Sequence, residues 1–149
     1  MMERLAVEST EIASNLRPMT EEEFEAWCDE DVRAEYVDGE VIVHTPASTR
    51  HNDVMWFLGT LLNLFASHHD LGRVLGPELQ VRLRPGLRRV PDLFFVAKAR
   101  ADIIHEKHIE GAPDLVIEIV SPDSVVRDWR EKYFEYEAAG IREYWVIDP

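Results

Sequence analysis

The stretch DLVIEIV, residues 114–120, decides how this chain is read. It contains the most apolar strand pattern in the sequence, Leu115–Val120, and a carboxylate, Glu118, interrupts it. Side chains alternate along a strand, so Asp114, Val116, Glu118 and Val120 share one face. A carboxylate in such a run loses hydration, which is costly unless a cation, a proton or a hydrogen-bond donor compensates. Good packing alone does not account for Glu118.

A second acid, Asp92, directly follows Pro91 and opens another buried strand, Leu93–Val96. Two carboxylates on adjacent central strands can converge on one point. They repel at close range, and a divalent cation between them would resolve the conflict. Downstream, a helical wheel puts Val125, Trp129, Tyr133 and Tyr136 on one apolar arc, with Lys132 beside Tyr136 on its edge. That aims an ammonium group at the sheet, in the direction of Glu118. Two acids and a lysine suit metal binding, polarisation of a water and stabilisation of charge on a phosphate. An all-oxygen ligand set of Asp92 and Glu118 favours magnesium, or manganese, over zinc. The same residues could instead form a structural ion pair between helix and sheet, with Asp92 capping a turn. Spacing leaves both readings open.

Working outward, Thr20 and Glu23 form a capping box that predicts a short helix to about Cys28, with Phe24 and Trp27 facing inward. In AEYVDGEVIV, residues 34–43, Asp38-Gly39 predicts a two-residue hairpin turn, with Glu35 on the first strand. From about His51 to His69, Val54, Phe57, Leu58, Leu61, Leu62 and Phe65 recur at helical spacing and predict one buried helix face. Leu79, Val81 and Leu83 alternate with polar residues as in a half-exposed strand, and Pro85-Gly86 turns the chain. Residues 98–112 read as polar and irregular. Asp128 with Glu131 is a second capping pair for a helix to Ala139, where Gly140 suits a left-handed stop before a last strand, Glu143–Ile147. All four tryptophans, Trp27, Trp56, Trp129 and Trp145, are expected in the core. The order of elements predicts an α/β sandwich around a mixed sheet, as one domain from residue 18 after a flexible tail over residues 1–17.

A chain of 149 residues with 46% hydrophobic residues can build one core without disulfides. Its single cysteine, Cys28, and the absence of a membrane-length apolar run or signal-peptide core predict a soluble, cytoplasmic protein. The net charge of −13 is unfavourable for binding nucleic acid. Residues 73–100 are the exception, because seven basic residues there face two acids. That segment is either a phosphate-facing strip or an ordinary solvated hairpin.

PDLVIEIVSPDS (113–124) and RDWREKYFEYEAAGIREYWVIDP (127–149) resemble the Uma-type restriction endonucleases, a branch of the PD-(D/E)XK nuclease superfamily. TEEEFEAW (20–27), AEYVDGEVIVHTP (34–46), RHN (50–52), ELQVRL (78–83) and VPDLFFV (90–96) follow in the same order. The resemblance implies a restriction-endonuclease-like mixed sheet flanked by helices, magnesium dependence and hydrolysis of DNA phosphodiester bonds. By position it implies that Asp92 is the aspartate of the PD motif and Glu118 the acid of the (D/E)XK motif, both binding metal. Glu35 matches a glutamate before the first hairpin turn, as a further ligand or water-orienting group. The superfamily's lysine position, two after the acid, is Val120 here, and Lys132 on the following helix takes its place. Related nuclease domains often act as dimers, which implies a homodimer. Relatives continue past residue 149, which implies a domain short of its C-terminal strands.

Other residues carry less. His51 matches a family histidine opening the long helix, where capping or packing is the commoner role. His68, His69, His105 and His108 lack a third ligand, and Ser121 lacks a paired histidine. Two rival functions stay open. One is a catalytically silent nuclease fold used for binding or assembly, and the other is a hydrolase of RNA or a small nucleotide.

Overall fold

The computed structural model describes residues 17–29, 31–122 and 124–149, so most of the expected N-terminal tail lies outside the described residues. Helix α1 (Glu21–Trp27) starts at the expected capping box, in which Thr20 Oγ1 accepts from the Glu23 amide and Glu23 returns the bond. Strands β1 (Ala34–Val37) and β2 (Glu40–Val43) form the expected hairpin. Its turn residues Asp38 and Gly39 both have positive φ, +46° and +103°, the geometry that favours this dipeptide. Phe24, Ala34, Tyr36 and Val41 close a small core beneath α1.

The long helix α2 (Thr49–His68) begins at Ser48, whose hydroxyl accepts from the His51 amide. It is followed by β3 (Gly72–Leu75), β4 (Gln80–Arg84), β5 (Leu87–Arg89), β6 (Leu93–Ala97), β7 (His108–Glu110) and β8 (Leu115–Ile119). A π turn over Arg127–Glu131 leads into α3 (Lys132–Ala138), and β9 (Glu143–Ile147) comes last. Gly140, at φ +80°, takes the left-handed position after α3. Residues 98–112, read from sequence as irregular, contain a 3-10 segment over Lys98–Ile103 as well as β7.

The strands form two mixed sheets flanked by helices. One runs β2-β1-β5-β4-β7 and the other β3-β6-β8-β9. Pro85-Gly86 turns β4 back onto β5, while β6 leaves for the second sheet and pairs there with β3 and β8. Val81, Phe94, Val96, Ile109, Val116 and Tyr136 join the two sheets and α3 in the main core. The opposite face of β6 and β8, carrying Leu93, Phe95, Leu115 and Ile117, looks toward α2.

Three side-chain expectations are corrected. Helix α2 lies against the sheet at Gly59, where an added Cβ would lie 3.3 Å from Leu93 Cδ2. This sets His51, Leu58, Gly59, Leu62 and Ala66 inward and leaves Phe57, Leu61 and Phe65 more than half exposed on a flank. The apolar arc of the last helix is likewise turned out, with Val125, Trp129 and Tyr133 exposed, while Asp128, Lys132 and Tyr136 are buried. Asp128 is therefore no cap: it sits inside the π turn, with its side chain in the interior. Trp56, Trp129 and Trp145 are exposed, and only Trp27 packs beside Phe24 as expected.

A candidate active site between the two sheets

Strands β6 and β8 pair with Leu93 opposite Ile117 and Phe94 opposite Val116. Continuing that antiparallel register by one residue sets Asp92 opposite Glu118. Both acids therefore share the face of Phe94 and Val116, toward the main core. The Ile119 amide donates to Asp92 Oδ2 at 2.8 Å, and His51 Nε2 lies 3.2 Å from the same oxygen. Arg33 Nη2 reaches Oδ1 at 3.3 Å. Three elements, β8, the start of α2 and the residue before β1, thus converge on one carboxylate.

Glu118 is held from the helix. Lys132 Nζ and Tyr136 Oη both donate to its Oε1 at 2.8 Å, which leaves Oε2 clear of those two donors. Lys132 lies among three carboxylates, with Asp128 Oδ1 at 3.1 Å and Glu35 Oε1 at 3.4 Å as well as Glu118. Only the Glu118 contact has hydrogen-bond geometry, so the other two act through charge. Ser124 Oγ donates to Asp128 Oδ2 and fixes that acid within the π turn. A π turn inserts one residue into a helix, and such insertions recur at functional sites.

Glu35 is fully buried on β1 and closes the other side. Arg89 Nη1 donates to its Oε2 at 2.9 Å and the Val90 amide to its Oε1 at 3.0 Å, while His44 Nε2 stands 3.4 Å away. Arg89 gives its remaining bonds to Glu135, through Nε at 2.7 Å and Nη2 at 2.8 Å.

These surroundings drive the acids apart in acidity. Burial pushes Glu118 up to about 7; Lys132 opposes the shift, and Asp92, Glu35 and Asp128 reinforce it. Burial also opposes ionisation of Asp92 and Glu35, yet both are held below the usual range. For Asp92 the cause is His51, the Ile119 amide and Arg33, and for Glu35 it is Lys132, His44 and Arg89. Lys132 stays firmly protonated, because its three acids outweigh the cost of burial. The cluster thus holds one carboxyl group near neutrality beside ionised neighbours, a recurring arrangement at functional sites.

The residues singled out from sequence, Asp92, Glu118, Lys132 and Glu35, do come together. The reading missed Asp128, taken for a cap, and set His51 aside. It passed over Arg33, which carries no local signal, and placed Arg89 only in the basic strip. Among the described residues, four buried side-chain polar atoms lack a hydrogen-bond partner, namely Arg33 Nε, His44 Nε2, His51 Nδ1 and Asp128 Oδ1. All four belong to this cluster. The basic strip is largely consumed inside the fold. Arg82 and Arg88 bind Glu21, Arg84 binds Asp38, Arg89 binds Glu35 and Glu135, Lys98 binds Asp70, and Arg100 binds Asp114.

No curated protein sequence matches the chain. Among solved structures, it is similar to the crystal structure of a "putative nuclease belonging to DUF820" from Anabaena variabilis. The TM-score is 0.75 at 23% sequence identity, over 89% of this chain and 75% of that one, a likeness of fold. The Uma2 family model, described as "Putative restriction endonuclease", matches residues 21–149, and the chain belongs to that family.

Proposed function

We propose that this protein is a metal-dependent nuclease that hydrolyses DNA phosphodiester bonds, with magnesium or manganese held by Asp92 and Glu118. The observation that carries the reading is the pairing of these two buried acids on one face of the sheet, with Glu118 pushed to about 7 by burial and by three acidic neighbours. Two carboxyl groups brought together out of water repel, and a divalent cation between them would relieve that repulsion. Among the described residues no group of three or more His, Cys, Asp or Glu side chains is placed to hold a metal ion. Magnesium needs none, since it commonly keeps several waters and binds through one or two carboxylates. The family description and the printed name of the Anabaena neighbour support nuclease chemistry.

A bound divalent ion would supply an activated water and neutralise charge at the phosphate. The chain's own residues do the rest. Asp92 is held ionised and aimed by His51 and the Ile119 amide. Lys132 and Tyr136 fix Glu118 through Oε1 and leave Oε2 as its free donor oxygen. Asp128 and Glu35 hold the Lys132 ammonium in place, so Lys132 acts first as the positioner of Glu118. Nicking of supercoiled plasmid with magnesium, compared with chelator, tests the proposal. Glu118→Gln and Asp92→Asn should each lower the rate on the order of 10²–10³-fold in folded protein. Parental rates in both variants would refute it.

The internal pairing of the basic strip favours a second reading, a silent nuclease fold used for binding or assembly. Calorimetry separates the two, because the silent fold has no need to take up Mg²⁺ or Mn²⁺.

A further inference from the structure

Three cations touch the acid cluster, and their charges are not equally committed. Lys132 is surrounded by Glu118, Asp128 and Glu35, and Arg89 is shared by Glu35 and Glu135. Arg33 differs. Its acidic contact at the site is Asp92, at 3.3 Å, and among the described residues its only other hydrogen bond runs from the same Nη2 to the Val90 carbonyl, also at 3.3 Å. Its Nε is buried without a partner, and Nη1 makes no hydrogen bond among the described residues. A guanidinium carries five donors in a fixed fork, so most of this one's capacity is unused.

Arg33 also lies at a boundary. It lines an open cleft of about 920 Å³, whose walls carry the cations Arg88 and Lys107 and the acids Glu25, Asp29, Asp31 and Glu78. Through Asp92 it is in direct contact with the acid cluster. Arg88, the other arginine in the wall, is already taken by Glu21 and Glu25. Beside Asp92, His51 is nine-tenths buried and its Nδ1 also lacks a partner. Arg33 is thus the residue that joins this cleft to Asp92, and among the described residues its Nη1 is still open.

We infer that Arg33 anchors a phosphate of the substrate where the cleft meets the acid cluster, turning its open Nη1 donors to the non-bridging oxygens. This rests on the reading of the cluster as a site for phosphodiesters, and it assigns the phosphate contact to a residue outside the acid and lysine set. A forked donor shared between an acid and a phosphate would also fix the distance between the substrate and Asp92.

The test is equilibrium binding of a fluorescently labelled oligodeoxynucleotide duplex by anisotropy, across roughly 50 to 200 mM salt. It is run in the Glu118→Gln background so that the probe stays intact. Adding Arg33→Ala should weaken binding at least about tenfold and flatten the salt dependence by about one unit of slope. A role in folding alone would not change that slope. If Arg33→Ala does not fold, Arg33→Gln keeps a polar side chain of similar reach and should flatten the slope equally. Parental affinity and slope in a folded Arg33 variant would overturn the inference while leaving the nuclease reading intact. Arg33-dependent binding by a protein that cuts no DNA with any metal would do the reverse. Absence of binding by the parent would sink both.

Discussion

Lys132 Nζ reaches Glu118 Oε1 at 2.8 Å across the boundary between α3 and β8, with both side chains shielded from solvent. The pair is not self-contained, because Asp128 and Glu35 share the same ammonium. Lys132 is therefore shared by three buried acids, of which Glu35 also has Arg89, and this sharing ties the stability of the fold to the chemistry of the site.

Lys132→Met should be strongly destabilising, by roughly 3–5 kcal/mol, because it strands buried carboxylates without their cation. Urea denaturation should show the loss as a lower midpoint with an unchanged slope. A midpoint within error of the parent would mean that the lysine is not the keystone of the cluster. For this reason the nuclease reading is better tested at Glu118 than at Lys132.

Protonation of Glu118 gives a signed pH dependence. Its acidity is shifted from the usual 4.5 up to about 7, so the metal-free fold favours the protonated form. The stability gained from that preference is complete below about pH 4.5 and is lost as pH rises toward 7. Glu118→Gln cannot ionise, so its melting temperature should rise relative to the parent between pH 5 and 8, roughly across this window. Metal uptake needs the ionised acid and should run the other way, weakening up to about tenfold per pH unit below 7. Calorimetric titration with Mn²⁺ at several pH values checks this, and a flat profile would remove Glu118 from the ligand set.

Gly76 offers a remote handle on Asp92. Its φ is +129°, and a Cβ built there would lie 2.3 Å from the Asp92 carbonyl oxygen, a backbone atom with no room to yield. Gly76→Ala should cost at least about 1–3 kcal/mol through backbone strain and displace Asp92. Thermal melts should record the first effect and plasmid nicking the second. Parental values in both would show that the Asp92 backbone tolerates the shift.

Local signals read well from the sequence where chemistry acts at short range. The Thr20 capping box, the Asp38-Gly39 turn and the Gly140 stop each depend on a few adjacent residues, and each is present. Glu118 was legible because a charge in an apolar strand conflicts with its surroundings. Side-chain orientation on the helices was not legible. Helix α2 is apolar around much of its circumference, so periodicity could not choose between the side at Gly59 and the side at Phe57. On the last helix the spacing of Asp128 and Glu131 matches a capping pair, and a wheel drawn at 100° per residue could not anticipate the inserted residue of the π turn that holds Asp128. Arg33 and Arg89 act over separations of more than 50 residues, from the residue before β1 to the residue before β6 and from β5 to β1, and no local pattern encodes such contacts.

The π turn over Arg127–Glu131 has one more consequence. It sets the rotational phase of the last helix, and one residue of phase is about 100°. The extra residue is absorbed there, and it lets Asp128, Lys132 and Tyr136 all face the interior while the apolar residues between them face out.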